Sequence, residues 1–170
     1  MDTTTNKKPG DTVPVKEFEL INLEKTDKVC GLCEKFSSSK AKENDLIAVM
    51  SCEGACLRGE VSRRVANKIC FENSNENFAR VCLGGAFTKD TGQRNMVRSA
   101  KRVIVLEGCF IECASRMMRS VIPDLAAEVI LVDKYYSFEK NLFAINDVSE
   151  DELIKYSNEA TNNIRNKLSI

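Results

Sequence analysis

Eight cysteines and no histidine stand in this sequence, and their spacing is where chemistry would come from. Two C-x3-C pairs recur, Cys52-Glu53-Gly54-Ala55-Cys56 and Cys109-Phe110-Ile111-Glu112-Cys113, and a C-x2-C pair, Cys30-Gly31-Leu32-Cys33, lies nearer the start. A thiolate is both a zinc ligand, at about 2.3 Å, and a nucleophile. Number separates the two roles. A nucleophile needs one thiolate and at most a resolving partner, whereas four thiolates in one place repel each other unless a cation holds them. Without histidine, Ser-His-Asp triads, mixed Cys/His zinc sites and His-ligated haem are excluded, and proton chemistry falls to Cys, Asp, Glu, Lys and Tyr.

The elements that must position these thiols follow from hydrophobic patterning. Leu46–Met50 is a short continuous apolar run, the mark of a strand buried on both faces. Residues 57–71 carry Val61, Val65 and Ile69 one helical turn apart. A second strand is expected at Ala79–Leu83, ended by Gly84-Gly85, then a short helix around Gln93–Lys101. Val103–Leu106 reads as a third strand, and residues 112–122 as a helix with Ala114, Met117, Met118 and Val121 on one face, stopped by Pro123. Val129–Val132 is a fourth strand. Ser149 and Glu152 form a capping box for a last helix whose face is Leu153, Tyr156, Ala160, Ile164 and Leu168. Alternating strands and helices give right-handed βαβ crossovers. The expected fold is therefore α/β, a three-layer α/β/α domain with a mostly parallel sheet of about four strands, in order 2-1-3-4 by analogy with doubly wound folds.

In a parallel sheet all carboxyl ends lie on one edge, where open α/β sheets place their ligands. Cys52 and Cys109 come just after the first and third strands and Cys82 lies at the end of the second, so the three meet there, and Cys56 and Cys113 fall in the first turns of the following helices. A helix N-terminus, with unpaired N–H groups and partial positive charge, favours an anion beside it. Cys70, between Ile69 and Phe71, reads as packing. Cys30 and Cys33 stay open between a separate site, a redox pair and no role.

S-C-E-G-A-C at 51–56, V-C-L-G-G at 81–85 and G-C-F-I-E-C-A at 108–114 together resemble the DGC-domain family, over roughly residues 46–133. The resemblance implies a zinc-binding protein of unknown biological role, with metal ligands Cys52, Cys82, Cys109 and Cys113. Cys56 is an additional thiol and an alternate ligand. The name-giving motif reads Glu107-Gly108-Cys109, with Glu in place of Asp. All-sulfur sites suit Zn²⁺ or an iron–sulfur cluster, and the absence of close-packed ferredoxin-type runs puts zinc first. A four-thiolate site carries net negative charge, which helix N-termini and Arg58 or Arg116 are placed to offset. The alternative is a thiol-dependent enzyme. Cys52-x5-Arg58 matches the anion loop of low-molecular-weight phosphatases and arsenate reductases, with Cys52 as nucleophile, Arg58 as clamp and Asp133 in an Asp-Lys-Tyr-Tyr acid loop. That reading leaves Cys109 and Cys113 unused, and Gly59 stands where a hydroxyl residue is expected.

The chain of 170 residues with 25 basic and 25 acidic side chains suits one domain and lacks the basic footprint of a nucleic-acid binder. No apolar leader opens it and no run reaches a membrane span, so a cytoplasmic protein that binds neither nucleic acid nor membrane is expected, its protein partners unknown. Residues 1–44 read as a tail and extension containing the C-x2-C pair, with Ser37–Lys42 as linker, and 45–170 as the α/β metal-binding domain. The Gly- and Thr-containing loop Gly84–Gly92 is expected to lie mobile over the ligand edge.

Overall fold

The computed structural model describes residues 17–72 and 77–170, so the first part of the expected tail, 1–16, lies outside the described residues. The elements run α1 (Gly31–Lys40), β1 (Ile47–Ser51), α2 (Leu57–Phe71), β2 (Phe78–Arg80), α3 (Leu83–Thr88), α4 (Gly92–Ser99), β3 (Arg102–Glu107), α5 (Cys113–Val121), β4 (Glu128–Leu131) and α6 (Glu150–Leu168). The four strands form one sheet in the order β2-β1-β3-β4, with every neighbouring pair parallel. The expected α/β class and strand order both hold.

Period-two alternation divides the strands between two cores. Val49, Ile104, Leu106 and Ile130 point toward α2 and α6, whose Val61, Val65, Ile69, Leu153, Ala160 and Ile164 close that face. Ala48, Met50, Val103 and Val105 point the other way, toward Ala86, Met96, Val97, Ala114 and Met118 of α3, α4 and α5. Both faces are covered, which is why the strands read as unbroken apolar runs. Cys70 belongs to the α2–α6 core, where burial pushes its thiol up to about 12. At the start of α6, Ser149 and Glu152 bond reciprocally as the capping box requires.

One ion-pair network ties α2 to α6. Glu60, nearly buried, accepts from Arg63 (2.7 and 2.8 Å) and Arg64 (2.6 Å), and Arg64 reaches on to Glu150 at 2.5 Å. The Arg63 hydrogen bonds hold the Glu60 carboxyl below its ordinary 4.5, against the opposing effect of burial. A lowered folded-state pKa adds stability that is present above the ordinary value and lost as pH falls through the lowered one. Glu60→Gln is expected to cost about 1 kcal/mol at pH 7. Urea unfolding at pH 7 and below pH 4 checks this, since the gap between variant and wild type must shrink in acid.

Three local expectations need correction. Ser37–Lys42 is not a linker, because α1 covers most of it and Ser37 is fully buried. The cause is a close helix approach: a Cβ on Gly92 would lie 2.9 Å from Ser37 Cβ, so α1 and α4 meet through two small residues. β2 ends at Arg80, so Cys82 is the N-cap of α3 and not a strand residue. Gly84–Gly92 is mostly helix α3, its glycines tolerated because Leu83 and Ala86 anchor the turn in the core. Residues 17–30 hold no strand, and Phe18, Leu20 and Ile21 are exposed. Among the described residues, no helix is long and apolar enough to cross a membrane.

Candidate functional site

The carboxyl edge is built around the Leu106 carbonyl. It accepts the Cys52 N–H at 2.9 Å, continuing the ladder past β1, and the buried Ser62 hydroxyl of α2 at 2.7 Å. This acceptor fixes Cys52 against both β3 and α2. Cys52 is 8% exposed, and the backbone N–H groups of Gly54 and Gly108 lie near enough to its sulfur to favour the thiolate. Burial is nonetheless the larger influence and raises the Cys52 thiol above its ordinary value, with the nearby Cys113 thiol and Glu107 carboxylate adding to the rise.

Cys56 is the N-cap of α2 and partly buried. A methyl on Gly54 would lie 3.6 Å from Cys52 Sγ and 3.7 Å from Cys56 Sγ, so the first C-x3-C turns both sulfurs to the same side of its central glycine. The loop after β3 arrives from the other direction. A Cβ on Gly108 would stand 2.8 Å from the Arg58 carbonyl group and 2.9 Å from Gly59 N, and one on Gly59 would stand 2.7 Å from Gly54 backbone atoms. Three glycines thus let both cysteine loops press on the first turn of α2. Cys109 is partly buried in the β3 loop, its carbonyl accepting the Glu112 N–H, and Cys113 opens α5 and is exposed.

Cys82 stands apart. Its sulfur accepts the Gly85 N–H of its own helix at 3.4 Å, and its backbone N–H goes to Gln93 Oε1 at 2.9 Å. Arg80 ties the end of β2 to the Cys52 loop by bonding Ser51 Oγ at 2.6 Å and pairing with Glu53. Every cysteine is unpaired. Among the described residues, no three Cys, Asp or Glu side chains stand close enough as placed to hold a metal ion together. Ligation by three or four thiols would need the two loops to close further.

The Cys-x5-Arg reading finds no support. Arg58 donates to the Lys140 carbonyl at 2.9 Å, lies 3.9 Å from Asp133 and stacks 5.1 Å from the Phe138 ring centre. The intended clamp and the intended acid are occupied with each other and with the segment after β4. For the same reason Arg58 is committed there as a charge.

Sequence reasoning left Glu107 without a role, and the structure supplies one. It is fully buried, and its carboxylate accepts the Ser115 N–H at 2.7 Å and the Ala114 N–H at 3.3 Å. Glu112, the N-cap residue of α5, is left-handed (φ 54°) and offers no side-chain cap. The last residue of β3 therefore caps the helix and sets Cys113 against the strand that leads to Cys109. An acidic residue directly before Gly-Cys at a strand end was the available signal.

The family described as DGC domain matches residues 48–159. No curated protein and no solved structure matches the chain.

Proposed function

The chain belongs to the DGC-domain family, and on that premise we propose that it binds one zinc ion through cysteine thiolates at the carboxyl edge of the sheet. The observation that supports this most is the shared orientation of Cys52 and Cys56 about Gly54, with Cys113 near enough to act electrostatically on Cys52. Cys52, Cys109 and Cys113 are the core of the proposed set. The sulfur of Cys82 is turned to its own helix, so Cys56 is the better fourth ligand. Zinc, when bound, would stabilise the thiolate that burial disfavours at Cys52 and offset the mutual repulsion of the sulfurs. Four sulfurs close a tetrahedral site, which favours a structural or thiol-binding role over hydrolysis. Eight unpaired cysteines suit a compartment that keeps thiols reduced, and a cytoplasmic location is part of the proposal.

Metal per chain, measured on untagged protein purified anaerobically, tests it. One zinc is expected in the wild type, lost in Cys52→Ser, Cys109→Ser, Cys113→Ser and Cys56→Ser, and kept in Cys82→Ser. No metal in the wild type would sink the proposal, and bound iron with visible absorption would replace zinc by a cluster.

A further inference from the structure

The C-x2-C pair lies outside the matched family segment, yet the domain holds it in place. Lys89 Nζ donates to the Lys28 carbonyl at 2.6 Å just before the pair. Just after it, Glu34 accepts the Gly92 N–H at 2.9 Å, and Gln93 Nε2 donates to Ser37 Oγ at 2.9 Å. Cys30, at the N-cap of α1, is exposed, so a small molecule in solvent reaches its sulfur. Cys33, one turn on, is partly buried, and its sulfur accepts the Gln93 amide N–H at 3.2 Å. Gln93 is 5% exposed and is fixed at its other end by the Cys82 N–H. Helical residues three apart have Cβ atoms about 5–6 Å apart. Small rotations of the first turn bring them to the roughly 4 Å that a disulfide spans. One sulfur offered to solvent and one held behind it is the asymmetry that thiol–disulfide exchange needs.

We propose that Cys30 and Cys33 form a redox-active dithiol that exchanges with small-molecule disulfides of the glutathione class. The Cys30 thiolate attacks one sulfur of the disulfide, forming a mixed disulfide at Cys30 and expelling one small thiolate, which takes up a proton. The Cys33 thiolate then attacks the Cys30 sulfur, closing the Cys30–Cys33 bond and expelling the second small thiolate. One disulfide is reduced to two thiols and one dithiol is oxidised. The exchange is independent of zinc at the sheet edge, and zinc measured in the same samples keeps the two questions apart.

Both cysteines fall in one tryptic peptide, Val29–Lys35, so the test is direct. The full-length folded protein is equilibrated with reduced and oxidised glutathione, alkylated, digested and weighed. Raising [GSSG]/[GSH]² roughly a hundredfold across the midpoint is expected to carry the peptide from about one-tenth to about nine-tenths internal disulfide. Cys33→Ser is expected to accumulate a glutathione adduct on Cys30, and Cys30→Ser at least about tenfold less on Cys33. A peptide that stays doubly alkylated at every ratio, or equal adduct on the two variants, would overturn the proposal.

Discussion

Glu107→Ala is expected to melt about 10 °C below the wild type, by loss of roughly 3 kcal/mol. Its carboxylate is wholly buried and accepts two N–H groups at the start of α5. Removing it deletes two charge-assisted hydrogen bonds and leaves those donors buried without a partner. The left-handed Glu112 supplies no replacement. Glu107→Gln keeps the shape but presents one oxygen and one NH2 to two donors, so it should fall between wild type and alanine. Glu107→Asp retreats by one methylene from the 2.7 Å contact to Ser115 and is expected to lose about 1 kcal/mol. Calorimetric melting of the three variants orders them. An alanine variant as stable as wild type would show that α5 needs no cap from the strand.

Gly59→Ala is expected to cost about 2–3 kcal/mol, because the new methyl would sit 2.7 Å from backbone atoms of Gly54. No rotamer change relieves a clash with backbone, so the Cys52–Cys56 loop must lift off α2. Gly84 is the control, since it lies in α3 with nothing within 4 Å of an added methyl. Gly84→Ala is expected to raise stability by about 0.5–1 kcal/mol through helix propensity alone. Urea midpoints at unchanged slope measure both. Equal effects at the two glycines would mean that the loop does not bear on the helix. Metal content of folded Gly59→Ala adds a second readout, because displacing Gly54 moves the two sulfurs that flank it.

The sheet was legible because its strands are buried on both faces, and such strands announce themselves as short apolar runs separated by helices of period 3.6. α2 and α6 were equally clear: Val61, Val65 and Ile69 mark one, and the Ser149–Glu152 box opens the other. The errors fall where small or polar residues replace the apolar signal. Ser37 reads as linker material, but its small size lets α1 sit on Gly92. Gly84 and Gly85 read as a loop, but they lie inside a helix held by its apolar residues. Spacing brought Cys52 and Cys56 to one place. It could not show that the Cys82 sulfur turns back on its own helix, because that depends on a single N–H from Gly85. Nor could it show that Arg58 is spent on Asp133 and a carbonyl more than eighty residues away.

The strand order has a consequence for how the protein folds. β1 pairs with β3, not only with its sequence neighbour β2, through Ile47↔Arg102 to Ser51↔Leu106. That contact closes a long loop before any enthalpic return, which slows folding relative to a chain of local contacts. Until it forms, Cys52 and Cys109 belong to separate stretches of unfolded chain and are open to wrong disulfides in an oxidising buffer. Refolding yield should therefore depend on reductant during the interval before β1 meets β3, and become insensitive to it afterwards.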